Sequence, residues 1–203
     1  DLGGNLRGMY SAFPSQGGVL SVIMAQGGVS AVQSAFEGKA GFFQCYFGGR
    51  WDGAAMRAGL GREFLGAEIA YKPWPSCGVS HAYIDSTLHL MREHLLGAAD
   101  IAAITVHVGD FAEKMCLPIE SRRRPQTTVD AKFSVPFCVA LAAVRGNVGI
   151  GAFTDQGLQD AGVLAFAPKV SAVVDAKYNW TGRLPSGLVE IDTTDGQIGR
   201  AHV

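Results

Sequence analysis

The chain has 203 residues, 48% of them hydrophobic, and a formal net charge of −1. The apolar content suffices for a sizeable core, and so balanced a charge excludes nucleic acid or another polyanion as the expected partner. Only 17% of residues are charged while 27 are glycine, a composition for close helix packing and many turns.

Pro14 to Gln26 is predicted to be a helix, with Pro14 in its first turn, Gly27-Gly28 as its stop, and Val19, Leu20, Val22, Ile23 and Met24 crowded on a broad apolar face. Ser30 to Phe36 is predicted to be a second, short helix capped by Ser30 and ended by Gly38, and Asp52 to Leu60 a third helical piece. Glu68 to Tyr71 reads as a strand. Ser80 to Leu96 is the clearest helix, with Ser80 as a candidate cap and a core stripe of Ile84, Leu88, Met91 and Leu95. Ile101 to Val108 is a β-branched run and a strong strand signal. Phe133 to Val144 is predicted to be an apolar helix, and Asp155 to Phe166 a loose helix capped by Thr154. Val170 to Asp175 and Leu188 to Thr193 read as strands. Asp195-Gly196 is a hairpin turn, and a final strand follows from Gln197. The fold class expected is α+β: an all-α helical part over residues 1–66, then a two-layer α/β domain with a mixed sheet over 67–203.

Cys45, Cys77, Cys116 and Cys138 form no CxxC pair and no metal-like spacing, so they are read as free thiols in a reducing compartment. Neither a signal peptide nor a bilayer-spanning apolar run is present, so no membrane partner is expected and the localisation read is cytoplasmic. Asn179-Trp180-Thr181 matches the glycosylation pattern by chance on this reading. Arg122 to Arg124, the basic run, is read as a solvated loop. Gly146 to Gly151 lacks the strand–turn–helix context of a dinucleotide site.

Two stretches carry the chemistry. Lys72-Pro73-Trp74-Pro75-Ser76-Cys77-Gly78-Val79-Ser80-His81 puts a lysine on a rigid turn and a histidine at a helix start. Partial desolvation of Lys72 beside Trp74 suits proton transfer; a charged lysine instead pairs with a carboxylate; an ordinary strand-to-helix connection needs neither. His81, in a first helical turn, is favoured as neutral imidazole and is a candidate base or donor. His81, Asp85 and His89 share a helix face, but two turns separate the outer pair, so an Asp85–His89 surface pair is expected rather than a metal site. His94, His107 and His202 read as incidental. Downstream, Ser121-Arg122-Arg123-Arg124-Pro125-Gln126-Thr127-Thr128-Val129-Asp130-Ala131-Lys132-Phe133-Ser134-Val135-Pro136-Phe137 places Lys132 at the start of a helix, where its charge calls for an anion or a buried partner such as Asp130.

Together the two stretches resemble the lid-domain blocks of the MmgE/PrpD family, which includes 2-methylcitrate dehydratases, cis-aconitate decarboxylases and iminodisuccinate epimerases. Ala35-Phe36-Glu37-Gly38-Lys39-Ala40-Gly41-Phe42-Phe43 is a weaker echo of another family segment. The resemblance implies a helical domain followed by an α/β lid, a homodimer, no cofactor or metal, and a small di- or tricarboxylic acid substrate. It implies proton abstraction next to a carboxylate. Dehydration of a hydroxy-polycarboxylate such as 2-methylcitrate is the leading reaction, and epimerisation or decarboxylation the alternative. Lys72 and His81 are the candidate catalytic residues; Arg7, Tyr10, Cys77 and Lys132 are candidates for substrate binding. Cys77 stands where some members have a histidine, as a weak donor or a packed thiol. Phe137 stands where the family motif often ends in tyrosine, so a phenol is lost. Arg7 and Tyr10 stand where the family often has Lys-x-x-His. Arg7 keeps a carboxylate-binding fork but cannot serve as a base. The chain is expected to be a fragment of a longer enzyme, and a catalytically silent lid or assembly module is the reading from a different class.

Overall fold

The computed structural model describes residues 5–182 and 187–202; the side chains of Arg7 and His202 lie outside the described residues. The chain divides into two compact units, Leu6–Tyr71 and a second built from Lys72 onward.

In the first unit a 3-10 turn, Asn5–Met9, precedes α1 (Ala12–Gln26). The stop falls where the glycine pair predicts it: Gly27 is the C-cap and Gly28 takes φ +87°. No residue of α1 is buried. The short helix expected over Ser30 to Phe36 does not form, and the segment is a run of turns. So few residues, with β-branched Val32 among them, do not repay helix nucleation; their backbone is used instead by Phe42 and Phe43, whose N–H groups donate to Ala35 and Phe36. These turns lead into α2 (Phe42–Phe47), which the sequence reading missed. It carries an aromatic cluster in which Phe43 stacks on Trp51 with centroids 4.5 Å apart. α3 (Gly53–Arg57) is capped by Asp52, which accepts from Ala54 and Ala55. The strand expected at Glu68 to Tyr71 is absent: Leu65–Glu68 is a 3-10 turn, and the segment pairs with no described strand.

The second unit opens with α4 (Gly78–Glu93), followed by β1 (Ile101–Val108). Four helices then lead on: α5 (Asp110–Glu113), α6 (Ile119–Arg123), α7 (Thr128–Lys132) and α8 (Val135–Arg145). α9 (Ala161–Phe166) and three strands complete it: β2 (Val170–Val174), β3 (Leu188–Thr193) and β4 (Ile198–His202). The sheet order is β2-β1-β3-β4. β1 pairs parallel with β2 and antiparallel with β3, and β3 pairs antiparallel with β4, so the sheet is mixed. With its helical segments, the chain is α+β.

Burial alternates along β1. Ile104, Val106 and Val108 are sealed, whereas Thr105 and His107 on the other face are half-buried. α8 is buried along almost its whole length and packs against α4, together filling the core with Phe137, Val139 and Leu141 beside Tyr83 and Ile84. The Tyr83 hydroxyl donates to the His107 carbonyl at 3.2 Å and ties α4 to β1. Gly109 passes so close to the Tyr178 carbonyl that a Cβ would lie 1.9 Å from its oxygen, which only glycine permits.

Several local expectations are corrected. α4 starts at Gly78, so Cys77 is its N-cap residue and Ser80 lies inside the first turn. The helix ends before Leu95, which turns out at φ +53° and is 90% exposed; Leu90 takes its place in the core. The loose helix after Thr154 is instead a 3-10 turn, Gly157–Gln159, whose Gly157 N–H Thr154 accepts, and then α9 capped by Asp160. Arg122 to Arg124 is not a solvated loop throughout: the Arg123 guanidinium makes two hydrogen bonds, 2.9 and 2.7 Å, to the Val170 carbonyl at the start of β2. His89 pairs with Glu93 at 3.2 Å rather than with Asp85, one turn in the other direction. His107 is not incidental, since its Nε2 lies 2.7 Å from Glu190. No helix among the described residues is long and apolar enough to cross a membrane.

Candidate functional site

The site is built on the turn that feeds α4. Pro73 and Pro75 restrict the backbone on both sides of Trp74. Chain reversal over Ser76 then brings Lys72 back: its Nζ donates to the Ser76 carbonyl at 3.0 Å. Two buried hydroxyls lock this reversal to the helix. Ser76 Oγ and Ser80 Oγ are 2.7 Å apart, and Ser80 Oγ donates to the Cys77 carbonyl at 2.7 Å. A hydroxyl has one proton, so with Ser80's directed at Cys77, Ser76 is the donor between the pair.

His81 follows Ser80 on the helix. Its ring meets Trp74 edge to face, with centroids 5.5 Å apart at 81°. Its Nε2 is buried and has no hydrogen-bond partner among the described residues. Burial is the main cause that holds the imidazole below the ordinary histidine range; the Lys72 charge acts in the same sense, while the carbonyls of Ser76 and Trp74 oppose both. The sequence reading reached a neutral imidazole from the helix end. The structure reaches it from desolvation and a neighbouring ammonium.

The second motif is stitched to the first through the backbone, as Cys77 N–H donates to the Lys132 carbonyl at 2.8 Å. Lys132 does not open the following helix. It is the last residue of α7, where a positive charge suits the helix dipole. Its ammonium lies over the Phe153 ring, 5.8 Å from the centroid, and Asp130 accepts from Thr127 instead of pairing with it. Ser134 caps α8 by accepting from Phe137 N–H at 3.1 Å and donates to the Arg122 carbonyl at 2.5 Å. Cys138, one turn further on, is fully buried, and burial pushes its thiol up to about 12 despite the nearby Ser80 and Ser76 hydroxyls. Cys116 is likewise raised to about 12 by burial. Both are therefore small hydrophobes rather than nucleophiles, and all four cysteines are free.

Thus the structure brings Lys72, Cys77 and His81 onto one turn and attaches Lys132 to it by its carbonyl. Cys77 is half-buried at the head of α4. Arg7 and Tyr10 belong to the other unit; Tyr10 is 63% exposed. The sequence reading missed Ser76 and Ser80 as a pair. Their spacing of four residues was visible, but only the reversal at Ser76 makes them neighbours. No group of three or more His, Cys, Asp or Glu among the described residues is placed to hold a metal ion.

This arrangement sets an imidazole held below its ordinary range near an ammonium, chemistry that suits proton transfer beside an anion. The C-terminal domain profile of MmgE/PrpD matches residues 74–203. The chain is also 23% identical over 207 residues to a cis-aconitate decarboxylase-like protein, oryM, of Aspergillus oryzae. That alignment takes in 96% of this chain and 42% of oryM, so the chain spans less than half the length of this curated relative. With the family profile covering most of its length, the chain belongs to the MmgE/PrpD family.

Proposed function

We propose that this chain is the lid portion of a lyase acting on a small di- or tricarboxylic acid, and that Lys72 and His81 are its catalytic residues. The observation that carries the reading is the pair itself: an ammonium docked on the Ser76 carbonyl beside an imidazole kept neutral by burial and by that charge. Lys72 binds a substrate carboxylate and lowers the cost of charge developing next to it. His81 takes the proton from the adjacent carbon, and the electron pair moves into an enolate-like carboxylate. In dehydration this pair then expels the neighbouring hydroxyl, which leaves as water after taking up a proton. Arg7, Tyr10, Cys77 and Lys132 remain proposals for substrate binding. The same reading includes a homodimer, a cytoplasmic setting and no cofactor.

The leading reaction is dehydration of a hydroxy-polycarboxylate such as 2-methylcitrate. Decarboxylation is the second reading, and the name of the Aspergillus relative favours it. There a carbon–carbon bond breaks to release carbon dioxide, and the carbanion left behind is protonated. Proton NMR of the protein with citrate, 2-methylcitrate, cis-aconitate and iminodisuccinate separates these. Turnover of one acid that disappears in Lys72→Ala supports the proposal and names the reaction. Turnover unaffected by Lys72→Ala removes the lysine from the mechanism. Neither turnover nor binding of any of the four gives the lead to a silent lid or assembly module.

A further inference from the structure

We infer that the buried Ser76–Ser80 hydroxyl pair is a positioning device that holds Lys72 and His81 in register with one another, an inference that rests on those two side chains acting on the substrate. Ser76 is 4% exposed and Ser80 1%. Neither hydroxyl reaches a substrate, yet each belongs to the attachment of one functional group. The Lys72 ammonium is docked on the Ser76 carbonyl, and His81 is the next residue after Ser80. The 2.7 Å bond between the hydroxyls therefore joins the lysine's anchor to the histidine's helix. Pro73 and Pro75 stiffen the turn between them but do not tie it to α4. The other tie is the Cys77 carbonyl, which takes both the Ser80 hydroxyl at 2.7 Å and the Ser80 N–H at 2.9 Å.

The proton direction makes the device asymmetric. Ser76→Ala removes a donor, while Ser80 keeps its own acceptor, the Cys77 carbonyl. Ser80→Ala removes the acceptor of a buried Ser76 hydroxyl and a donor to Cys77 at the same time, which is the costlier loss. Freed from the helix, the Ser76 carbonyl no longer presents the ammonium beside the ring, and water reaches the imidazole.

The test is NMR titration of the His81 ring in the 203-residue protein. In Ser80→Ala the His81 midpoint is expected to rise toward the ordinary histidine range. Ser76→Ala should move it less, and Ser80→Thr, which restores the hydroxyl, should return it toward the wild-type position. Turnover of whichever acid the protein converts should fall on the order of tenfold in Ser80→Ala through displaced groups. A role confined to stability lowers the unfolding midpoint and leaves the His81 titration where it was. An unmoved titration in folded Ser80→Ala overturns the inference. Should that variant fail to fold, an unmoved titration in folded Ser76→Ala does the same. The titration needs no substrate. A moved midpoint without any turnover keeps the positioning device and rejects the lyase; Lys72-dependent turnover with an unmoved midpoint does the reverse.

Discussion

Ser134 belongs to the second family block, yet its contacts give it a structural task, and Ser134→Ala tests that assignment. The side chain is sealed from solvent. It accepts from Phe137 N–H at 3.1 Å and so caps α8, the helix that fills the core. Loss of such a cap costs about 1 kcal/mol. It also donates to the Arg122 carbonyl at 2.5 Å, the one hydrogen bond recorded for that oxygen among the described residues. Leaving a partly buried carbonyl without its donor costs about 1 kcal/mol more. The sum, roughly 2 kcal/mol, is a shift of about 1 M in the urea midpoint for a typical denaturant slope. The assay is urea unfolding followed at the methyl groups of Ile104 and Ile191, both fully buried in the sheet. Below the transition, turnover per folded molecule should match the unsubstituted protein. An unmoved midpoint refutes the energetic reasoning. Turnover lost at unchanged stability refutes the structural assignment and moves Ser134 into the chemistry.

Three further outcomes are expected. Lys72→Ala should raise the His81 midpoint in an NMR titration, because the ammonium is one of the two causes that depress it; a midpoint that stays put or falls separates the two groups. The acid limb of any turnover requiring neutral His81 should lie below pH 6.5, the ordinary histidine value, since the folded protein resists protonation down to a lower pH; a limb above 6.5 excludes His81 as the base. On the open face of the sheet the hydrogen bond from His107, aided by Arg200, holds the Glu190 carboxyl below its ordinary 4.5 while burial opposes it. The unfolded chain takes up that proton first. This stabilisation is therefore full above pH 4.5 and is lost as the pH falls through the lower folded value. Glu190→Gln should flatten the acid loss of stability in that window, seen by unfolding at a series of pH values.

Much of the second unit was legible because its signals are local. The β-branched run of β1 alternates between faces and needs no distant partner to be recognised. The same holds for the apolar stretch of α8 and for the Asp195-Gly196 turn, where Gly196 takes φ +86°. Lys72 and His81 stood out because prolines and a helix start punctuate the same ten residues. Other features depended on neighbours. Glu68 to Tyr71 has strand-like residues but pairs with no described strand. Leu95 keeps the helical spacing, yet the helix stops at Glu93 before reaching it. Lys132 reads as the first charge of one helix and is the last of another, because Thr127 caps a turn that hydrophobic periodicity does not register.

Composition, the two motif blocks and the alternation of strands and helices were thus enough, from the sequence by itself, for the fold class and the family, and they singled out the lysine and histidine proposed above. Tertiary structure alone decided how those groups are held. The reversal at Ser76 brings two hydroxyls four residues apart to 2.7 Å, and packing buries them. The Lys132 carbonyl reaches across from a distant segment to Cys77. Burial, with the Lys72 charge nearby, holds the His81 imidazole below its ordinary range. The physical reason is one of range. Backbone propensity and side-chain periodicity act over a few residues and are written in order along the chain. Desolvation, Coulomb interaction and hydrogen-bond direction depend on which atoms the completed fold brings together.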